Sequence, residues 1–443
     1  MNVATQDSFA VDLGAGLQMR TATIDDADAI VDFNTRVFDH RVTAWTSDLL
    51  SKRHPTVQPD DFTIVEDTRT GAIVSSMCLI SQHWAYSGIP LKVGRFELIG
   101  TDPEYRRRGL IRKQFELAHA RSERKGELLH VITGVDWFYR QFGYELGPRL
   151  WGSRSIVDVD LRDLPDGGVD ACQLRPATAL DIAFIRHVYD QSSRRHIYSA
   201  LRSEAEWIWE ITGRSTASTR RREWMILERA GAPLGYVQYL PCLASPAWPL
   251  FRIYQIELKS GTGYLSVARS LLKGLWAKGQ ALWADGTLAC PELRGLELAL
   301  ERDHPFYRVV PAGLLREVRT SPWYLRVPDL VAFLDRVRPA LERHLVGSLA
   351  DGYSGSLSVN CFRDGLRMTF DRGRILAIDR WIPRDLSDGD VQLPASGFVH
   401  IVCGWQRLSE LADQFPECRA THDASILLDS LFPTFRGKVW VLS

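Results

Sequence analysis

Apolar residues fall into short runs separated by amphipathic stretches, a pattern that predicts strands alternating with helices. Leu17 to Thr23 reads as a first strand, after which Asp25 and Asp26 open a helix with Ile30 and Phe33 facing inward. Phe62 to Val65 and Ala72 to Ile80 read as hairpin strands around Thr70 and Gly71. The segment between, Phe38 to Pro59, is rich in His, Trp and charge. Phe96 to Ile99 predicts another strand, ended by Asp102-Pro103 because proline has no amide hydrogen for a ladder. A helix follows, with Ile111, Phe115 and Ala118 on one face and Arg112, Lys113, Glu116 and Glu123 outward. Leu128 to Thr133 is the next strand.

The pattern then begins again. After a turn-rich linker, Asp163 to Asp170, the stretch Cys172 to Asp181 repeats Leu17 to Asp26 at a spacing of 155, with Gln, Arg, Ala, Thr and Asp each in place. The hairpin returns at Trp224 to Leu227, Gly231 and Gly235 to Val237, and Phe306-Tyr307-Arg308 echoes Phe138-Tyr139-Arg140. A second copy of one fold explains this most simply. From Trp323 the pattern changes to a helix, Pro328 to Leu345, and short strands at Ser356 to Val359, Leu366 to Phe370 and Ile375 to Ile378. An apolar run, Phe398 to Val402, and a helix, Gln406 to Gln414, complete it.

Charge locates the chemistry. Arg106-Arg107-Arg108-Gly109 stands where the 110s helix begins, and a helix start offers unpartnered N–H groups and a positive dipole end. Gly109 lets backbone approach a ligand and the arginines add forked donors, so the expected ligand is a polyphosphate. Neither GxxxxGK[ST] nor GxGxxG occurs, which excludes the usual triphosphate and dinucleotide loops. The second copy has Lys259-Ser260-Gly261-Thr262-Gly263-Tyr264 at this place, with almost none of the charge a pyrophosphate needs.

Whole-chain quantities narrow the class. At 443 residues the chain is long enough for about two to four domains. A formal net charge of zero argues against nucleic acid or an acidic membrane as the main partner. Seven scattered cysteines without CxxC point to free thiols in a reducing cytoplasm, and no HxxxH or His-with-Cys spacing supports a metal. The N-terminus lacks a secretion pattern, and no apolar run is long enough to span a bilayer.

The order strand, Arg106-x-x-Gly109, helix, strand, then Phe138-Tyr139-x-x-x-Gly143-Tyr144 resembles the acetyl-CoA core of the GNAT N-acetyltransferases. Arg-Arg-Arg-Gly-Leu-Ile-Arg followed by Phe-Tyr-Arg-Gln-Phe-Gly-Tyr resembles most closely the Eis-like (enhanced intracellular survival) branch. Ile111 stands where members often carry Gly or Ala. The resemblance implies an α/β (α+β) architecture: an active GNAT domain at 1–160, a degenerate GNAT-like copy at 171–320 and a sterol-carrier-like domain at 321–443. It implies acetyl-CoA as co-substrate, held by Ile99, Gly100, Thr101, Arg106, Arg107, Arg108, Gly109, Leu110, Ile111 and Arg112, with backbone at Ile99 and Thr101 pairing the pantetheine arm like an added strand.

By family position Tyr139 is the acid that protonates the departing thiolate. Two bases stay open: the C-terminal carboxylate, here on Ser443 where relatives end in an aromatic residue, and Glu97, which is otherwise an outward or paired strand carboxylate. The acceptor would be a primary amine of an aminoglycoside, a polyamine or a lysine, with Trp45, Trp84 and Trp137 placed to meet it. Ring assemblies in the family imply a homo-oligomer, with a hexamer as the order the resemblance suggests. An alternative of another class is a non-catalytic acyl-CoA or lipid sensor of the same build.

Overall fold

The computed structural model describes residues 9–135, 137–149, 152–162, 172–245, 247–318 and 322–434, folded around three sheets. The first comprises β1 (Ala10–Gly14), β2 (Leu17–Thr21), β3 (Phe62–Asp67), β4 (Ala72–Tyr86), β5 (Ile89–Thr101), β6 (Leu129–Ile132) and β7 (Glu145–Arg149), with helices α1 (Ala27–Val37), α2 (Thr43–Leu50) and α3 (Leu110–Arg124). Helix α1 buries Ile30 and Phe33 beneath one part of the sheet, and α3 buries Phe115 and Ala118 beneath another. Helix α3 ends before Gly126, whose φ of +75° suits a glycine. The sheet is antiparallel up to β5, but β5 and β6 run parallel and pair only from Val93↔Leu129 to Phe96↔Ile132.

The second sheet follows the same plan. Its elements are β8 (Arg154–Val157), α4 (Asp158–Arg162), β9 (Gln173–Pro176), α5 (Ile182–Ser193), α6 (Glu204–Ile208), β11 (Glu223–Arg229), β12 (Ala232–Tyr239), β13 (Phe251–Leu258), α7 (Ala268–Ala284), β14 (Gly295–Leu298), α8 (Pro305–Val309) and β15 (Arg316–Glu317), while β10 (Tyr198–Leu201), between α5 and α6, pairs instead with β4 of the first sheet. Again one pair, β13 with β14, is parallel. The repeat extends to side chains. Arg20 bridges Asp26 (2.7 Å) and Glu66 (2.9 Å), and Arg175 bridges Asp181 (2.8 Å) and Glu228 (3.0 Å). In both, the aspartate also accepts the N–H of a capping threonine, Thr23 or Thr178.

Sequence order and sheet membership also part company beside the parallel pair of each copy. Strand β16 (Pro322–Arg326) inserts between β6 and β7 of the first sheet, and β8 inserts between β14 and β15 of the second. A strand that diverges from its parallel neighbour presents a bare edge that must be covered. Each copy covers its edge with a connector that follows the other copy or precedes its own. Boundaries at 160 and 321 therefore cut across both sheets.

The third unit has α9 (Leu330–Leu345), β17 (Gly355–Asn360), β18 (Gly365–Asp371), β19 (Arg374–Trp381), β20 (Val391–Gln392), α10 (Ala395–Val402), α11 (Leu408–Ala412), β21 (Arg419–Ala420) and α12 (His422–Leu431). The apolar run at 398–402 is helical, and α10 is buried there on every side. One continuous core joins Phe333, Val337 and Phe398 to Trp84, Tyr86 and Trp323 of the first sheet. Trp84 is 1% exposed, edge-on to Trp323 and Tyr198, so it is a core residue and out of reach of an acceptor. Among the described residues, no helix is long and apolar enough to cross a membrane.

Candidate active site

The cleft opens where β5 leaves β6. Leu98 adopts φ +52°, and the register slips from Cys78↔Glu97 to Ser76↔Gly100, which is a β-bulge. Beyond it Ile99, Gly100 and Thr101 turn a strand edge toward a cavity of about 620 Å³, a size suited to a coenzyme arm. A buried polar strut fixes this corner. Ser75 Oγ lies within hydrogen-bond distance of Gly100 O (2.9 Å), Thr101 Oγ1 (2.9 Å) and Gln114 Oε1 (2.7 Å), and Gln114 Nε2 donates to Thr63 O (2.9 Å). Strands β3, β4 and β5 are thereby tied to α3, on either flank of the arginine loop.

That loop is wound tightly. Arg107 (φ +62°) and Gly109 (φ +76°) are both left-handed, and a Cβ on Gly109 would point into open space at the cavity wall. Lys113 is the first residue whose N–H reaches a helical carbonyl, Gly109 O at 3.1 Å. The amides of Leu110, Ile111 and Arg112 therefore have no partner within the helix, and these residues line the cavity. Arg106 donates from Nε to Thr101 O (3.2 Å) and lines the cavity with Arg107. Arg108 is turned back, stacked on Tyr105 (4.8 Å) and donating to Glu104 O, and does not line it. Arg112 spans the mouth, bonded to Gln141 Oε1 (3.1 Å) and lying over Phe142.

Tyr139 lies in the same cavity, on a single 3-10 turn, Phe138–Phe142, and is 6% exposed. Its ring packs edge-on against Tyr324 (5.8 Å), Phe115 and Tyr144. Burial pushes its phenol well above the ordinary tyrosine value, and the Glu97 charge adds to the effect. Tyr324, from the inserted β16, accepts the Trp137 N–H (2.8 Å) at a left-handed residue (φ +65°), which fixes the turn just before Tyr139.

Glu97 lies next to this wall but does not line the cavity. Its Oε1 accepts both Arg95 Nη2 (2.6 Å) and Nε (3.0 Å) in a buried pair, and Arg95 itself stacks on Trp323. Trp137 is 73% exposed, with Arg140 stacked over it, whereas Trp45 is 2% exposed in the core beside α1, with Arg220 over its face, so like Trp84 it is out of an acceptor's reach. Ser443 lies outside the described residues.

In the second copy the corresponding space is filled. Glu257 stands at the strand position of Gly100, and Arg195 at the end of α5 clasps both its oxygens (2.7 and 3.0 Å) and Glu301 (2.6 Å). His196 joins Glu301 at 3.2 Å. Burial works against the charge on Glu257, but His304 and Arg195 outweigh it and hold the carboxyl below its usual range. Tyr307, the counterpart of Tyr139, accepts the Leu300 N–H and lies within hydrogen-bond distance of Leu298 O and Gly152 O, so its hydroxyl is engaged. Glu257, Glu301 and His304 have metal-ligand identities within 4.8 Å of one another. His304 Nδ1 accepts the Phe306 N–H (3.0 Å), however, so Nε2 carries the hydrogen and has no lone pair to offer, and Arg195 already occupies the cation's place.

The sequence motif picked out the loop and Tyr139. It missed Ser75 and Tyr324, which hold those parts from strands distant in sequence, and Gln114 and Arg95, which lie close by in sequence but whose partners it does not reveal.

Comparison with known proteins agrees with this geometry. The family described as Acetyltransferase (GNAT) domain matches residues 18–147. The fold is similar to a probable N-acyltransferase of Enterococcus faecalis V583, with a TM-score of 0.71 at 13% identity, covering 96% of this chain and 100% of that one. It is also similar to a GCN5-related N-acetyltransferase of Anabaena variabilis, with a TM-score of 0.68 at 13% identity, covering 96% and 99%. Eis1 of Mycobacterium abscessus gives a TM-score of 0.60 at 14% identity, covering 96% and 99%. No curated protein matches the chain significantly in sequence. The cleft between β5 and β6, its arginine loop and its phenol thus lie within residues 18–147, and in that segment the chain carries an acetyltransferase domain of the GNAT family.

Proposed function

We propose that the first copy transfers an acetyl group from acetyl-CoA to a primary amine by direct attack, and that the second copy and the C-terminal unit, of sterol-carrier-like build, are structural. The observation that carries this reading is the meeting of Arg106, the α3 N-terminus and Tyr139 in one cavity of about 620 Å³. The diphosphate would take the free amides and Arg106, and the pantetheine would lie along Ile99 to Thr101. The thioester would then reach Tyr139.

The neutral amine nitrogen attacks the thioester carbonyl carbon, and the tetrahedral adduct collapses with cleavage of the C–S bond. The electron pair goes to sulfur, which takes the Tyr139 hydroxyl proton. The amine's surplus proton passes to a base, and net transfer back to the phenolate restores the site. Products are the N-acetyl amine and the free CoA thiol. Glu97 is the base we favour, since its charge acts on Tyr139 while both Arg95 bonds fall on Oε1 alone. The phenol's raised pKa keeps it protonated, ready to donate, at neutral pH.

In the second copy, the Arg195 ion cluster and the engaged Tyr307 hydroxyl support a closed cleft. Thiol release from acetyl-CoA with a set of primary amines, together with CoA stoichiometry by calorimetry, tests the whole reading. Turnover with one coenzyme bound per chain is expected. Tight binding without turnover on any amine would favour a sensor, and two coenzymes per chain would refute the closed second copy.

A further inference from the structure

The loop 214–222 of the second copy docks beside α2 of the first and brings Arg220 onto Trp45 of that helix. Arg220 lies flat over Trp45 at 4.2 Å. Among the described residues its guanidinium has no carboxylate within salt-bridge distance and makes no hydrogen bond, although the side chain is partly buried. Its charged surroundings are Glu97, Arg95 and Arg222, one carboxylate against two further guanidiniums, and that carboxylate is already clasped by Arg95. Burial, offset in part by Glu97, pushes Arg220 down to about 10. Docking does not depend on Arg220, since Ser215 N–H reaches Asp48 (3.3 Å) and Thr219 Oγ1 donates to Arg41 O (3.0 Å).

A desolvated guanidinium without a counter-anion is costly, and it is economical where a ligand supplies the anion. Trp45 packs in one core with Leu98, the residue after Glu97 on β5, and the Glu97 charge acts on both Tyr139 and Arg220. We infer that Arg220, seated on Trp45 beside Glu97, binds an anionic oxygen group of the acceptor, so that the amine acetylated belongs to a molecule bearing a carboxylate or phosphate. This rests on the transfer reading above and narrows it away from polycationic acceptors. A fork of donors over an aromatic face suits either anion.

Three families of probe separate the possibilities: neutral n-alkylamines, α,ω-diamines, and anionic amines comprising an ω-amino carboxylate series and 2-aminoethyl phosphate. Wild type should show the highest kcat/KM for an anionic probe, and comparison of carboxylates with the phosphate identifies the preferred anion. Arg220→Gln should raise the KM of that probe roughly 10- to 100-fold, with less than about a threefold change for the neutral amine. Arg220→Glu should invert the ranking in favour of diamines.

Equal loss for every probe would make Arg220 a structural staple and overturn the inference, as would a wild-type preference for diamines. Turnover of the neutral amine reports separately on the transfer reading. If no probe turns over, calorimetry on the CoA complex still decides, since anionic probes should bind wild type and not Arg220→Gln, and equal binding to both would overturn the inference.

Discussion

Replacing Tyr139 with Phe deletes one oxygen and leaves the packing in place. The ring keeps its edge-on contacts with Tyr324 at 5.8 Å, Phe138 at 5.3 Å and Tyr144 at 6.2 Å. No hydrogen bond from the Tyr139 hydroxyl to another described residue is lost, so stability should change by less than about 0.5 kcal/mol. Loss of a positioned general acid costs ~10²- to 10⁴-fold in rate, which at ~1.36 kcal/mol per tenfold is about 3 to 5 kcal/mol of barrier. The two numbers differ enough to be read apart. Steady-state thiol release gives kcat, thermal unfolding gives the fold, and calorimetry gives coenzyme affinity, expected to stay within about threefold. Because burial and Glu97 raise the phenol above its ordinary value, it stays protonated through neutral and mildly basic pH, and wild-type kcat should show no basic limb of its making below about pH 10. A variant that keeps kcat within threefold of wild type, with the same melting point, would refute Tyr139 as the acid.

Three further outcomes follow from the geometry. Arg106→Glu should weaken coenzyme binding by ~10- to 100-fold or more and flatten its salt dependence, and unchanged affinity would remove the loop from the site. Arg195→Met strands Glu257 and Glu301 in the closed second cleft, and denaturant titration should show a loss of about 3 kcal/mol with coenzyme stoichiometry unaltered. His119, held by burial and the Arg326 charge at about 3, and His130, held well below 6.5, stay neutral in the fold. The unfolded chain binds those protons first, so this contribution is intact above about pH 6.5 and declines as pH falls, by up to ~1.4 kcal/mol per unit per histidine. Urea midpoints at pH 7 and pH 5 measure the slope, and His119→Gln should flatten it.

The parts of the site visible in the sequence are those encoded within a few residues. Arg106 and Gly109 sit where strand becomes helix, Tyr139 belongs to a compact aromatic turn, and the copy at a spacing of 155 preserves Arg175 with Asp181 as it does Arg20 with Asp26. What stayed hidden depends on distance along the chain. Ser75 meets Gln114 from 39 residues away, and Trp137 meets Tyr324 from 187. Arg108 reads in sequence like Arg106, yet its stacking on Tyr105 turns it aside, which a run of charge does not reveal. Glu97 reads in sequence equally as a base or as an outward or paired carboxylate; the structure supplies the partner, Arg95, two residues earlier on the same strand. The second cleft seemed empty of charge because only its loop was compared, whereas Arg195, Glu257, Glu301 and His304 converge from separate elements.

The insertion of β16 between β6 and β7 has a consequence for biosynthesis. The ribosome must translate as far as Arg326 before the sheet that houses Tyr139 can close, and Tyr324, which steadies the turn beside it, is among the last pieces to arrive. Until then the nascent N-terminal third carries an uncovered flank, so this chain matures late and as a whole, and a shortened N-terminal fragment would stay catalytically unfinished.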